Sequence, residues 1–169
     1  MISVMERDRI ELETRGQAEN PKWFLERQTR VTASTFGQIC KSRNPQRTAQ
    51  QIGKAKPVYT KATVYGRKNE QRAIEAYERL TQNKVHPCGL FVDLEYPFIA
   101  GTPDGVIPEK KIIVECKCPY SARGYTPKEA EEKLKNFCML DGKLKRNHNY
   151  YYQLQGALYR PRELYYQGF

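Results

Sequence analysis

One stripe of apolar residues at helical spacing stands out near the middle of the chain. Its members are Ala73, Ile74, Ala76, Tyr77 and Leu80. Apolar residues that recur every three or four positions are typical of one face of an amphipathic helix. The stripe therefore predicts a helix from Lys61 to Gln82, and we expect another helix over residues 147–159.

Helix-start residues predict shorter helices on both sides of this stripe. Asn20 and Thr126 each precede a proline, an arrangement that is typical of a helix N-terminus. They predict helices over residues 21–30 and 127–140. Ser34 is expected to cap a short helix between them.

Short extended segments lie between the helices. The strongest is residues 111–118, where β-branched residues follow one another from Ile112 to Val114. Shorter strands are predicted over residues 85–92, 98–101, 105–107 and 163–166. The order of helices, strands and helices predicts an α/β (α+β) domain with a small mixed central sheet flanked by helices. We expect residues 1–20 to form a charged N-terminal arm or helix and residues 21–169 to form a single domain.

The composition argues against several classes of protein. Of 169 residues, 39% are hydrophobic and 11% aromatic, which is too apolar for a disordered chain. No apolar run approaches the roughly 18 residues of a membrane span, and the N-terminus lacks the apolar segment of a signal peptide. The 5 cysteines, an odd number, favour reduced thiols. We therefore expect an intracellular protein, nuclear or cytoplasmic, with a viral or phage origin left open.

Positive charge is concentrated in one segment. The chain holds 29 Lys+Arg and 19 Asp+Glu, a net charge of +10. Residues 41–72 contain nine basic residues and one acid, Glu70, so nine minus one gives this segment +8. Such a concentration is typical of a protein that binds DNA or RNA, although a solvated basic loop has the same composition. We expect Lys54, Lys56 and Lys61 to contact DNA.

Two acids and a lysine are spaced for metal chemistry. Asp104 lies in a turn made by proline and glycine, and Glu115 follows it near the end of the strongest predicted strand. A hairpin between them would bring the two carboxylates together, an arrangement that suits Mg²⁺. Residues i and i+2 of a strand share a face, so Lys117 is expected beside Glu115. The spacing favours a metal-dependent nuclease, although a surface hairpin with alternating Glu and Lys has the same pattern.

Several short motifs together resemble one known family. Pro103-Asp104 followed by Glu115-Cys116-Lys117 resembles the PD-(D/E)xK nuclease signature. The chain is also similar to the YqaJ-type viral recombinases, the group that includes the phage lambda exonuclease, at Trp23–Ser34, Gly66–Glu70, Gly101–Gly105, Glu115–Pro119 and Tyr151–Gln155. These motifs occur in the family's order and cover residues 23 to about 158. The resemblance implies a restriction-endonuclease-like core.

The resemblance also implies catalytic roles for individual residues. The implied metal ligands are Glu70, Asp104, Glu115 and the backbone carbonyl of Cys116. Lys117 would position or activate the attacking water, and Gln153 would lie close to the active site on the last helix. The implied cofactor is Mg²⁺, and Mn²⁺ is expected to substitute for it.

The resemblance implies DNA as the substrate. Arg27, Ser34 and Thr102 match positions that hold the 5′-phosphate of a DNA end in the family. Thr102 replaces the usual serine but keeps a hydroxyl. The implied partner is linear duplex DNA with a 5′-phosphate end, and a single-strand annealing protein is a candidate partner.

We therefore predict a metal-dependent 5′-to-3′ exonuclease that acts on linear double-stranded DNA in recombination or repair. Two alternatives stay open, an endonuclease on branched or nicked DNA and a DNA-binding module with a vestigial nuclease site. An iron–sulfur nuclease is disfavoured because it would need a close C-terminal trio of cysteines, whereas no cysteine follows Cys138.

Overall fold

A computed structural model of the chain describes residues 1–53, 59–158 and 165–168. The helices of the described residues are α1 (Val4–Glu13), α2 (Pro21–Gln28), α3 (Ala33–Cys40), α4 (Pro45–Gly53), α5 (Lys61–Thr81), α6 (Pro127–Lys133) and α7 (Asn149–Leu158). Within those described ranges, none of the helices is both long enough and apolar enough to cross a membrane. Lys54 and Lys56, two of the predicted DNA contacts, lie outside the described residues.

The strands form two small mixed sheets and a hairpin. They are β1 (Val31–Thr32), β2 (Phe91–Val92), β3 (Ile99–Gly101), β4 (Gly105–Ile107), β5 (Ile112–Glu115), β6 (Met139–Leu140), β7 (Lys143–Leu144) and β8 (Tyr165–Gly168). In one sheet β3 pairs parallel with β1 and antiparallel with β2, and in the other β5 pairs antiparallel with β4 and parallel with β8. The α+β class is confirmed. The predicted central sheet is divided in two where the chain turns between β3 and β4.

Local sequence signals place most helix starts correctly. The Asn20 side chain accepts a hydrogen bond from the backbone N–H of Lys22 at 2.9 Å and begins α2. Thr126 and Glu129 form a capping box that begins α6. The prediction for Ser34 was wrong, because Thr32 holds the N-cap position of α3 and Ser34 lies inside the helix.

The predicted helix over residues 127–140 is also too long. α6 ends at Lys133, and the chain then forms the β6–β7 hairpin. Asp141 and Gly142 make its turn with φ values of 51° and 68°. The Glu131 carboxylate accepts hydrogen bonds from both turn N–H groups, so α6 fixes the hairpin in place.

The inner face of α5 packs on the sheet that contains β5. Tyr77 is 2% exposed and belongs to one buried cluster with residues of that sheet and its flanks, Val85, Ile107, Ile112, Val114 and Cys116. Leu80, which the apolar stripe placed on this face, is 70% exposed. A second cluster joins Ile10 of α1 to β2 and β3.

α7 lies next to β5 and packs closely on α3. A Cβ atom at Gly156 would lie 3.2 Å from the Cα of Ala33, and one at Gly37 would lie 3.1 Å from the Cβ of Tyr152. Glycine therefore permits the close approach of the two helices. Ala33 and Ala157 also pack against Ile113 of β5, which connects the helix pair to the strand.

Candidate active site

Asp104 and Glu115 lie close together because β4 and β5 pair antiparallel. Gly105 is opposite Val114 in that pairing, and Asp104 and Glu115 are the next residues outward on the two strands. Asp104 Oδ2 accepts a hydrogen bond from the backbone N–H of Cys116 at 2.6 Å. The structure therefore brings together the two carboxylates that the hairpin argument placed side by side.

Glu115 is the most buried acid of the site, with 3% of its surface exposed. Its Oε1 accepts hydrogen bonds from Lys117 Nζ and Gln153 Nε2. Its Oε2 is buried and has no hydrogen-bond partner among the described residues. Burial raises the pKa of Glu115 to about 7; the charge of Lys117 opposes this rise and that of Asp104 adds to it.

Glu70 approaches the same carboxylates from α5. Burial raises the pKa of Glu70, and the negative charge of Asp104 raises it further, whereas Lys117 and Arg67 lower it. Burial likewise raises the pKa of Asp104, although the charge of Lys117 and the hydrogen bond from the Cys116 N–H each lower it. Because charges shift each other's pKa only at short range, the three acids and Lys117 form one group, which we name the carboxylate pocket.

The donor atoms of the carboxylate pocket are of the type that an oxygen-liganded divalent cation prefers. Among the described residues, no group of three His, Cys, Asp or Glu side chains converges so as to hold a metal ion. Lys117 and Gln153 both donate to Oε1 of Glu115. Its Oε2 is buried without a hydrogen-bond partner among the described residues, an arrangement that costs free energy. Carboxylate oxygens are the ligands that Mg²⁺ prefers.

Lys117 supplies the positive charge of the pocket. It lies two residues after Glu115, the last residue of β5, and its side chain is 27% exposed. Burial by itself lowers the pKa of Lys117, but the carboxylates of Glu115 and Asp104 outweigh burial, so the pKa is raised overall. Its Nζ also lies 5.4 Å from the ring centre of Tyr150. Lys117 therefore stays an ammonium group between an acid pair and an aromatic ring.

Gln153 reaches the carboxylate pocket from α7. Its side-chain amide donates to Glu115 Oε1, the atom that Lys117 also contacts. The close packing of α3 on α7 brings this amide to the end of β5. The structure thus places all the predicted catalytic residues, Glu70, Asp104, Glu115, Lys117 and Gln153, in one site.

Arg27, Ser34 and Thr102 form a second group, which we name the arginine pocket. Arg27 Nη2 donates to Ser34 Oγ at 3.1 Å. Trp23 Nε1 donates to Thr102 Oγ1 at 3.0 Å, and the Arg27 guanidinium lies 4.1 Å from the Trp23 ring centre. Trp23 therefore joins Thr102 to Arg27, which in turn contacts Ser34.

The arginine pocket keeps its positive charge. Burial lowers the pKa of Arg27 to about 10, which leaves the guanidinium protonated at neutral pH. Thr102 is two residues before Asp104, so one turn carries both pockets. Trp23 also packs on the cluster of Ile10 and Leu90. Its four-residue spacing from Arg27 on one helix is the signal in the sequence for its contact with the guanidinium.

A cavity of about 830 Å³ opens beside the carboxylate pocket. Glu115 and Lys117 contribute to its wall, together with α5, α6, α7 and the β6–β7 hairpin. Arg72, Arg123 and Tyr125 also line it. The three residues of the arginine pocket are not among the described residues that line this cavity. The carboxylate pocket therefore has an approach that is separate from the arginine pocket.

Lys61, the one predicted lysine contact among the described residues, is exposed at the first position of α5. No described contact joins it to either pocket. Its role in DNA binding, like that of Lys54 and Lys56, stays a prediction.

The chain is similar to known proteins both in sequence and in fold. The YqaJ-like viral recombinase domain matches residues 22–160. An alkaline exonuclease, LHK-Exo from Laribacter hongkongensis, superposes with a TM-score of 0.62 and 22% identity over 87% of this chain and 73% of that chain. A structure of LHK-Exo in complex with dAMP gives a TM-score of 0.61 and 22% identity over 81% of this chain and 66% of that chain. No curated protein matches the sequence significantly. At this identity the structural likeness shows a shared fold.

Proposed function

The chain belongs to the YqaJ-like viral recombinase domain family, and from that premise we propose that it is a divalent-metal-dependent exonuclease on duplex DNA. The observation that carries the proposal is the buried Asp104–Glu115 pair, in contact with Lys117 and Gln153, with one Glu115 oxygen left unpaired. The fold shared with an alkaline exonuclease supports the same class of activity.

Asp104, Glu115 and Glu70 would hold the cation, together with the backbone carbonyl of Cys116. A bound Mg²⁺ or Mn²⁺ supplies charge to the phosphoryl oxygens and makes a coordinated water more acidic. Lys117 adds a fixed positive charge beside Glu115, which favours an anionic phosphodiester and orients a water by donating hydrogen bonds. Gln153 holds Glu115 Oε1, and the Cys116 N–H holds Asp104 Oδ2.

The arginine pocket supports degradation from a 5′ end. A guanidinium and two hydroxyls are good partners for a terminal phosphate, and arginine forms paired hydrogen bonds with phosphate. Thr102 and Asp104 belong to one short turn, so a phosphate held at Thr102 would leave the adjoining nucleotide near the carboxylates. We therefore propose 5′-to-3′ resection of linear duplex DNA in recombination or repair. The single-strand annealing partner stays a prediction from the family.

The test compares linear, nicked and covalently closed DNA, with and without a 5′-phosphate, in Mg²⁺ or EDTA. We expect mononucleotides from linear DNA only, faster with a 5′-phosphate, and no reaction in EDTA. Labels at each end of one strand would establish the polarity.

Other outcomes identify the alternatives. Cutting of closed circles or branched DNA at the rate of linear DNA would indicate an endonuclease. Tight, salt-sensitive binding without cleavage in any divalent metal would indicate a DNA-binding module. Either result would overturn the exonuclease proposal.

A further inference from the structure

One side chain from the N-terminal segment reaches the turn that carries Asp104. Gln17 Nε2 donates to the backbone carbonyl of Cys88 at 3.1 Å and to that of Pro103 at 3.0 Å. Pro103 is the residue before Asp104 and is fully buried. We propose that Gln17 is a positioning residue, which fixes the Pro103–Asp104 peptide and so the direction of the Asp104 carboxylate toward a divalent cation. The inference rests on the proposed metal-dependent function.

The N-terminal segment is itself firmly attached next to this turn. Glu11 Oε1 accepts a hydrogen bond from the Gly89 N–H at 2.8 Å, and Thr14 Oγ1 accepts one from the Leu90 N–H at 2.7 Å. A Cβ atom at Gly89 would lie 1.9 Å from the backbone oxygen of Glu11, so only glycine permits this approach. The end of α1 is therefore attached to residues 88–90 before the chain reaches Gln17.

The backbone at Gln17 has an unusual conformation that the surrounding contacts maintain. Gly16 and Gln17 have φ values of 87° and 46°, and left-handed backbone is unfavourable for most side chains, including glutamine. The Asn20 side-chain amide closes the same loop by donating to the carbonyls of Glu13 and Arg15, both at 2.8 Å. Gln17 and Asn20 thus each donate to two backbone carbonyls. Of the two, Gln17 is the one that contacts the turn before Asp104.

Holding the Pro103 carbonyl has a direct geometric effect on Asp104. The carbonyl oxygen of Pro103 lies in the same rigid plane as the N–H and Cα of Asp104, so fixing the oxygen fixes that plane. Cys88 Sγ is a second donor to this oxygen at 3.4 Å. On its other side, Asp104 is held by the Cys116 N–H. The carboxylate is therefore oriented from both ends, and Gln17 supplies the contact from outside the two sheets.

The experiment compares Gln17→Met, which keeps the volume and loses the donor, with Asn20→Asp, which keeps the cap of α2 and loses an equivalent pair of donors. Gln17→Asn is a second variant that tolerates a left-handed backbone and retains an amide with a shorter reach. Calorimetry with Mg²⁺ and Mn²⁺ on the DNA-free protein gives the metal affinity. Thermal unfolding in EDTA and the Mg²⁺ concentration for half-maximal DNA hydrolysis complete the comparison.

Both Gln17 variants are expected to weaken Mg²⁺ affinity about tenfold, as substitutions that support a metal ligand typically do. The half-maximal Mg²⁺ concentration should rise by a similar factor. Asn20→Asp is expected to lower the Tm about as much as the Gln17 variants do, because it also loses two hydrogen bonds. Its metal affinity should stay within about twofold of wild type. A purely structural role for Gln17 would lower the Tm without changing the metal affinity, so the difference in metal affinity between the Gln17 and Asn20 variants tests the positioning role.

The inference is overturned if the Gln17 variants bind Mg²⁺ as tightly as Asn20→Asp does, whatever happens to their Tm. Asp104→Asn distinguishes this result from failure of the proposed function. If wild type binds Mg²⁺ and Asp104→Asn does not, the metal site stands and only the role of Gln17 is wrong. If wild type binds no divalent cation, both proposals fail together.

Discussion

The carboxylate pocket and the arginine pocket share one turn, Gly101–Gly105, but they differ in how their polar atoms are satisfied. In the carboxylate pocket, burial raises the pKa of all three acids, and one Glu115 oxygen has no partner among the described residues. In the arginine pocket, Arg27 is bonded to Ser34 and Thr102 to Trp23. The first pocket therefore leaves a buried oxygen without a partner, whereas the polar groups of the second are already hydrogen-bonded.

The strongest test of this contrast is Lys117→Ala. Removing the only ammonium that contacts Glu115 in the described structure should slow DNA hydrolysis by roughly 1000-fold, because the positive charge beside the phosphodiester is lost. Single-turnover rates at saturating DNA measure the effect, and circular dichroism checks the fold. Lys110→Ala is the control, since Lys110 lies before the opposite end of β5. Hydrolysis at the wild-type rate by Lys117→Ala would show that the site is elsewhere.

Arg27→Ala should affect the choice of DNA end more than the chemistry. Loss of a charged partner is expected to weaken binding of 5′-phosphorylated duplex by roughly tenfold to 100-fold, with little change for a 5′-hydroxyl end. Competition binding with the two ends measures the ratio. Arg27→Lys should recover part of the preference because it keeps the charge without the planar guanidinium. An equal loss for both ends would contradict a phosphate site.

The unpaired carboxylate predicts how stability depends on pH. The pKa of Glu115 rises from its ordinary value of 4.5, taken for the unfolded chain, to about 7 in the folded protein. The folded protein therefore holds this proton more tightly than the unfolded chain does. Its contribution to stability is complete below pH 4.5 and is lost as the pH rises through 7. In EDTA the free energy of unfolding should therefore fall by up to about 3 kcal/mol over this range.

Glu115→Gln is the matched variant for that measurement, since an amide resembles the protonated acid. Urea unfolding between pH 4.5 and 7.5 should show a smaller fall for Glu115→Gln than for wild type. Saturating Mg²⁺ should reduce the fall in wild type and leave the variant nearly unchanged. If the free energy of unfolding falls equally with pH in both proteins, the pKa of Glu115 does not differ between the folded and unfolded states.

Trp23→Phe is expected to have the smallest effect. The aromatic ring under Arg27 is kept, but the 3.0 Å bond from Trp23 Nε1 to Thr102 is lost. Affinity for a 5′-phosphorylated end should fall about threefold, the value of one neutral hydrogen bond. Thr102→Ser keeps the accepting hydroxyl and should bind like wild type. A loss as large as that of Arg27→Ala would mean that Trp23 also contacts DNA directly.

Local signals in the sequence were sufficient where a structure depends on neighbours in the chain. Asn20 and Thr126 gave the correct helix starts, and the apolar stripe gave the correct helix α5, because caps and periodicity act within a few residues. The β6–β7 hairpin was missed although Asp141-Gly142 is a strong turn signal, since acids and apolar residues upstream favoured a longer helix. Leu80 was misplaced because a stripe of apolar residues does not show which of them reach the sheet.

The sequence by itself determined the types and order of the reactive groups. Asp104, Glu115 and Lys117 are recognisable from a turn, a β-branched strand and a two-residue spacing, all of which are local. Only the tertiary structure decided that Glu115 Oε2 lacks a partner, that Trp23 joins Arg27 to Thr102, and that Gln17 holds the Pro103 carbonyl. These features depend on burial and on contacts between residues dozens of positions apart, and hydrogen-bond geometry at that range is set by how the helices and sheets pack.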